Sequence, residues 1–479
     1  MKKIVAVLIG LLGLAQVSLA IAWMVLNYNS IPNYGDTIEY LEIASSANLP
    51  LDMYRGCVFP LILRFCLYVE AGTKVPFHHI LYTIHLVYGT LATGFFCAVI
   101  YDTLGLHSKS ILIAKRKWSF VALFSVLILS IPLVMHMHFS VLTDSLAASF
   151  TLAFLAASIG LFTMNARRYS GPTLIFFVLL SLTRPDRFIF ASLFLLIASL
   201  AFAVKTVRCK PAASFLIKTR KQTLGTAVLV LCLATSITLV IIKMTQTQVA
   251  HRMPPALEYF MYERVVRNRL AHLYPLLPTN ITCSISFEDA QFYDSHFNNY
   301  RQAVAKLVLE DSGVVERISQ MNFARVNQIT RLAWKSYHRM IIVEILKDIF
   351  CNLFSPFADL LAHYTPILNI DGAIGWTESR MGQSYPRITS AYLRMFRFLF
   401  LLSTLYGVFM VCARKISVPK FNNQVGFMLV LWMLISAIGY GATGCNSFHI
   451  RYTLPCYLQV VFLTYYFVYS SLGCSTQKT

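Results

Sequence analysis

Charge is the scarcest commodity in this chain. Only 13% of its 479 residues are Asp, Glu, Lys or Arg, and 21 of those are acidic, whereas 57% are hydrophobic and 14% aromatic. So much apolar surface cannot be hidden inside a water-soluble fold of this length, which excludes the soluble classes and predicts a polytopic membrane protein. The eleven cysteines contain no C-x-x-C pair. No zinc site or disulfide framework is legible, and Cys97, Cys232 and Cys412 fall inside apolar runs as small packing residues. Neither a G-x-x-x-x-G-K nor a G-x-G-x-x-G loop occurs, so nothing points to a nucleotide. Internal repeats and low-complexity segments are absent too.

What the chain has instead is a series of long apolar runs, at about 4–26, 78–101, 118–137, 145–163, 172–183, 188–204, 224–243, 391–412, 424–444 and 453–472. The first follows Met1-Lys2-Lys3 and resembles a secretory signal, but its 23 residues suit a spanning helix better than a signal core. After the short fifth run, Thr183-Arg184-Pro185-Asp186-Arg187 reads as a tight polar turn between two helices. The fold expected is an all-α polytopic membrane protein of about ten transmembrane helices. Its first outer loop, 27–77, carries two interfacial helices, around Ile43 to Asn48 and Cys57 to Tyr68. A mostly helical outer-face soluble region fills 244–390, so the chain divides into an N-terminal membrane module (1–243), that region, and C-terminal helices (391–479). Within 244–390, the apolar stretch 341–368 carries Glu344, Lys347, Asp348 and Asp359 and is expected on the membrane surface.

The formal charge of +20 raises nucleic acid as a partner until its location is considered. With the N-terminus in the cytoplasm, the loops 102–117, 164–171, 205–223 and 413–423 and the two termini hold 18 of the 41 basic residues against a single acid, Asp102. That asymmetry is the positive-inside signal of a membrane protein, and it removes the support for a nucleic-acid partner. The same orientation places Asp36, Asp144, Arg184, Asp186 and Arg451 together on the opposite face.

Ionisable groups at a membrane edge are expensive, and they mark candidate chemistry. Asp36, in Tyr34-Gly35-Asp36-Thr37-Ile38-Glu39-Tyr40, leaves the first apolar run and suits a general base, with Glu39 next in reach. Asp followed three residues later by Glu is also a capping-box pattern, and both readings stand. Asp144, at the start of the fourth run, is either a cap or a second carboxylate of the same site. With His138, Asp36 and Asp144 form a candidate set for a divalent metal ion, although the spacing matches no zinc motif. Arg55, Arg184, Arg187 and Arg451 are outer-face cations suited to bidentate phosphate capture, or alternatively to snorkelling towards lipid headgroups.

The pieces resemble the GT-C superfamily of membrane glycosyltransferases, which includes protein O-mannosyltransferases and the aminoarabinose transferases that modify lipid A. The resemblance rests on Asp36 after the first helix with Tyr40 and Ile43-Ala44 following, and on Tyr54-Arg55-Gly56 to Pro60-Leu61. Thr143-Asp144-Ser145-Leu146, Arg184-Pro185 and Arg451-Tyr452 ahead of Pro455 complete it. It implies a polyprenyl-phosphate sugar as donor and a glycan, lipid or protein as acceptor. Asp36 would act as base, with Glu39 and Asp144 beside it, while Arg55, Arg184, Arg187, Arg451 and Tyr452 would hold the donor phosphate. Many relatives carry two adjacent acids where this chain has Asp36 and Thr37. The implied setting is a bacterial inner membrane with both termini cytoplasmic and the site periplasmic, or alternatively the endoplasmic reticulum membrane.

Two other functions compete. A lipid-linked glycan polymerase or ligase also combines many helices with outer-face arginines, but it places its large loop late in the chain. A transporter or flippase predicts inverted repeats and charges at mid-membrane depth.

Overall fold

The computed structural model describes residues 2–29, 35–46, 56–103, 111–207, 214–246, 386–412 and 423–442, with a few helical positions elsewhere. Every regular element among the described residues is a helix. In chain order these are α1 (Lys2–Asn27), α2 (Gly35–Ser45), α3 (Val58–Thr73), α4 (Phe77–Thr103), α5 (Ile111–Leu129), α6 (Pro132–His138), α7 (Asp144–Thr163), α8 (Ala166–Thr183), α9 (Asp186–Val207), α10 (Ser214–Gln246), α11 (Pro386–Cys412) and α12 (Asn423–Ala442). Among the described residues, five stretches are long and apolar enough to cross a membrane: Val7–Asn27, Phe77–Thr103, Asp144–Thr163, Asp186–Val204 and Lys221–Ile241. The chain is an α-helical membrane protein.

Helix α7 is the axis. Every side chain from Asp144 to Phe162 is buried, and α4, α6, α8, α10 and α12 all pack on it. A helix apolar all round belongs inside a bundle. Its Ala147, Ala148, Ala153, Ala156, Ala157 and Gly160 let neighbouring backbones come close, the usual device where lipid offers no hydrophobic drive between helices. The hydroxyls of Ser149 and Thr151 donate to the carbonyls of Ser145 (2.9 Å) and Ala147 (2.7 Å), so they bring no unsatisfied polar group into the core. Large apolar residues such as Leu11, Leu14 and Val25 of α1 and Leu229 and Val240 of α10 stay exposed at the bundle surface. An exposed apolar band of this kind suits contact with lipid.

The apolar run 118–137, expected as one spanning helix, is two helices. Pro132 opens α6 and forces Ile131 to extended backbone (φ −67, ψ 129), breaking the ladder after Leu129. The carbonyls freed there find partners. Gln16 of α1 donates to Ser130 Oγ (2.8 Å) and to the Ser130 carbonyl (3.2 Å), and the Tyr392 hydroxyl of α11 donates to that same carbonyl.

The first loop also differs in detail. The first of its two expected helices begins earlier, so α2 already includes Asp36 and Glu39 in its opening turns. Helix α3 lies across one end of the bundle. The Cys57 N–H donates to the Leu182 carbonyl at the end of α8 (2.8 Å), and Glu70 accepts from the Phe77 N–H that opens α4 (3.2 Å). Arg64 of α3 donates to the Ala44 carbonyl (3.1 Å) and to that of Ser46, satisfying carbonyls left open by the end of α2.

Candidate functional site

Two sharp corners meet at the end of the bundle that α3 crosses. In the first, α6 ends at His138, the chain turns through Phe139 to Thr143, and α7 opens at Asp144. Thr143 occupies the N-cap position without a side-chain cap bond, so Asp144 is the first helical residue and not the cap. A carboxylate there complements the positive end of the helix dipole.

In the second corner α8 ends at Thr183. Arg184 takes extended backbone (φ −139, ψ 102), as the residue before a proline tends to, and Asp186 opens α9. The expected tight polar turn is therefore present.

The corners are joined by charge. Arg184 Nη1 lies 2.6 Å from Asp144 Oδ1 and Arg184 Nε 3.4 Å from Asp186 Oδ1. The Tyr440 hydroxyl, from α12, donates to Asp186 Oδ2 at 2.6 Å. Arg187 is 1% exposed, and its guanidinium carbon sits 5.0 Å from the Tyr440 ring centre and 5.7 Å from that of Phe190. This is a desolvated cation against two aromatic faces. Gly439 makes that approach possible, because a Cβ there would overlap the Phe190 ring.

Helix α2 docks on the first corner. Thr37 Oγ1 donates to the Val141 carbonyl (3.4 Å), and the Tyr40 hydroxyl reaches Thr143 Oγ1 (3.5 Å). The Tyr40 ring meets Phe59 edge to face, with centroids 4.8 Å apart. Below the corner, His138 Nδ1 lies 2.7 Å from Ser145 Oγ, and His85 Nδ1 donates to the His138 carbonyl (3.1 Å).

Of the residues expected at the site, Asp144 and Arg184 are in contact and Arg187 is the second residue of α9. Arg184 is engaged by two carboxylates, and Arg187 is covered. Asp36 and Glu39 lie on α2, beside the residues that dock it, and their side chains are outside the described residues. Arg55, Arg451 and Tyr452 are outside them too, as are most of the run 453–472 and most of 244–390. Within that region the helical positions Val343, Leu346 and Phe350 are exposed. Among the described residues no three His, Cys, Asp or Glu side chains converge as a metal ion would require. Asp144 takes a guanidinium and His138 a serine hydroxyl, which fits packing better than ligation.

Sequence reasoning passed over Tyr440 and Thr37. Tyr440 ends an apolar run where a membrane-edge tyrosine is ordinary, and only its position against Asp186 gives it meaning. Comparison with protein-family models, curated proteins and solved structures gives no match.

Proposed function

We propose that this protein is a membrane glycosyltransferase that moves a sugar from a polyprenyl-phosphate donor to an acceptor hydroxyl at the non-cytoplasmic membrane face. The observation that carries the reading is the docking of α2, the helix bearing Asp36 and Glu39, onto the Val141–Thr143 edge beside Asp144. In this reading the short helix brings the Asp36 carboxylate to substrates arriving from the lipid and from the aqueous side.

In this reading Asp36 takes the proton from the acceptor hydroxyl, whose oxygen attacks the anomeric carbon as the bond to the phosphate oxygen breaks. Polyprenyl phosphate leaves, and the anomeric configuration inverts. Arg55 and Arg451 supply positive charge to the departing phosphate. Glu39 is the alternative base. About ten spans, cytoplasmic termini and a periplasmic site complete the proposal.

The test is transfer of radiolabelled sugar from a panel of polyprenyl-phosphate sugars to total lipid and glycan extract, by membranes holding wild type or Asp36→Asn. Transfer by wild type alone supports both the class and the base. Absence of transfer from every donor, with the protein folded, rejects the class in favour of a polymerase, ligase or transporter.

A further inference from the structure

Resting on that reading, we infer that Tyr440 and Arg184 are positioning residues, and that through them α12 sets the placement of the helix carrying Asp36. The contacts form one continuous path. The Tyr440 hydroxyl holds Asp186 at 2.6 Å, Asp186 holds Arg184 at 3.4 Å, and Arg184 holds Asp144 at 2.6 Å. Asp144 directly follows the edge on which Thr37 and Tyr40 rest, at 3.4 and 3.5 Å from Val141 and Thr143. Thr37 is the neighbour of Asp36 in the chain.

The path is buried at its two ends and partly buried between them, where the Arg184 and Asp186 side chains are 15% and 18% exposed. Asp144 is 4% exposed, Thr143 4%, Thr37 3% and Tyr440 4%. Water does not replace a lost partner at such positions, and a change at one end is passed on as a shift of the next group. The pairing also decides what Arg184 does. With Asp144 on one nitrogen and Asp186 on another, its charge is spent on the two corners, and it acts through them and not on the donor phosphate.

Two variants test this in the full-length protein in detergent or nanodiscs. Tyr440→Phe removes one hydroxyl and keeps the ring over Arg187, and Asp186→Asn keeps the side-chain shape and removes the charge. Hydrogen–deuterium exchange of peptides covering 35–46 is expected to speed up in both, although neither position touches α2. Unchanged exchange there, with change confined to 186–190 and 423–442, overturns the inference. In the transfer assay Tyr440→Phe is expected to lower kcat roughly fivefold or more with donor KM within about twofold. A raised donor KM with unchanged kcat would make the network a donor-binding element and overturn the inference. Faster exchange in an active protein whose kcat does not move overturns it as well. If wild type transfers nothing, the sugar-transfer reading falls, while faster exchange at 35–46 still upholds the mechanical coupling.

Discussion

Arg184 and Asp144, forty residues apart, meet at 2.6 Å where α8 ends and α7 begins. The side chains are 15% and 3% exposed, so the pair is shielded from water and its members depend on each other. Removing one partner leaves the other charge desolvated and uncompensated. Arg184→Ala is expected to cost about 3 kcal/mol or more. The double variant Arg184→Gln, Asp144→Asn should recover part of that loss. Thermal unfolding of the purified protein measures both, and a double variant no more stable than Arg184→Ala would remove the pairing as the cause.

Gly56 should not tolerate a side chain. Its φ is +69, a region L-residues avoid, and a Cβ would strike the Leu182 and Thr183 carbonyls at the end of α8. Gly56→Ala is expected to destabilise by about 1–3 kcal/mol and to loosen α3. The readout is the unfolding midpoint together with proteolysis of the first loop.

Gln16 serves the break between α5 and α6. Gln16→Leu leaves the Ser130 hydroxyl and carbonyl with fewer donors inside the bundle, at a cost of about 1–2 kcal/mol. Differential unfolding of wild type and variant checks it. An unchanged midpoint would show that Tyr392 alone suffices.

Cys66 of α3 faces the bundle and is fully covered. Burial pushes its thiol up to about 12, so it stays protonated at pH 8 and should resist maleimide until the protein is unfolded. The raised value also carries a sign. The stability it represents is fully present below the ordinary thiol range and declines as pH rises towards 12, where the unfolded chain ionises first. Mass spectrometry of labelled peptides before and after denaturation decides the first point.

Gly439→Ala should separate α12 from α9, because its methyl would meet the Phe190 ring. Faster hydrogen exchange in 186–190 and 423–442, with a lower unfolding midpoint, is the expected result.

Much of the fold was readable in advance because membrane helices are written in composition. The runs that became α1, α4, α7, α9 and α10 announce themselves by length and by the scarcity of charge, and the turn at Thr183 to Arg187 by its proline and polar residues. The break at Ile131 was hidden: Pro132 lies inside a run whose average hydropathy hardly changes there. The opening of α2 was half readable, since Asp36 with Glu39 has the form of a capping box, but the docking of that helix through Tyr40 and Thr143 has no local signal. At the site, sidedness put Asp144, Arg184 and Asp186 on one face, and the bundle brings them into contact. Their roles were not readable, because a guanidinium awaiting a phosphate and one already held by two carboxylates have the same sequence.

The sequence by itself determined the helical membrane class and the grouping of ionisable residues at helix ends, since both follow from the cost of placing charge and unpaired backbone in lipid. Only the tertiary structure decided which charge meets which. It gave Arg184 to Asp144 and Asp186, covered Arg187 with Tyr440, and set α2 on the edge of α7. Those partnerships depend on ångström-scale convergence of helices far apart in the chain, and no local pattern of residues encodes that.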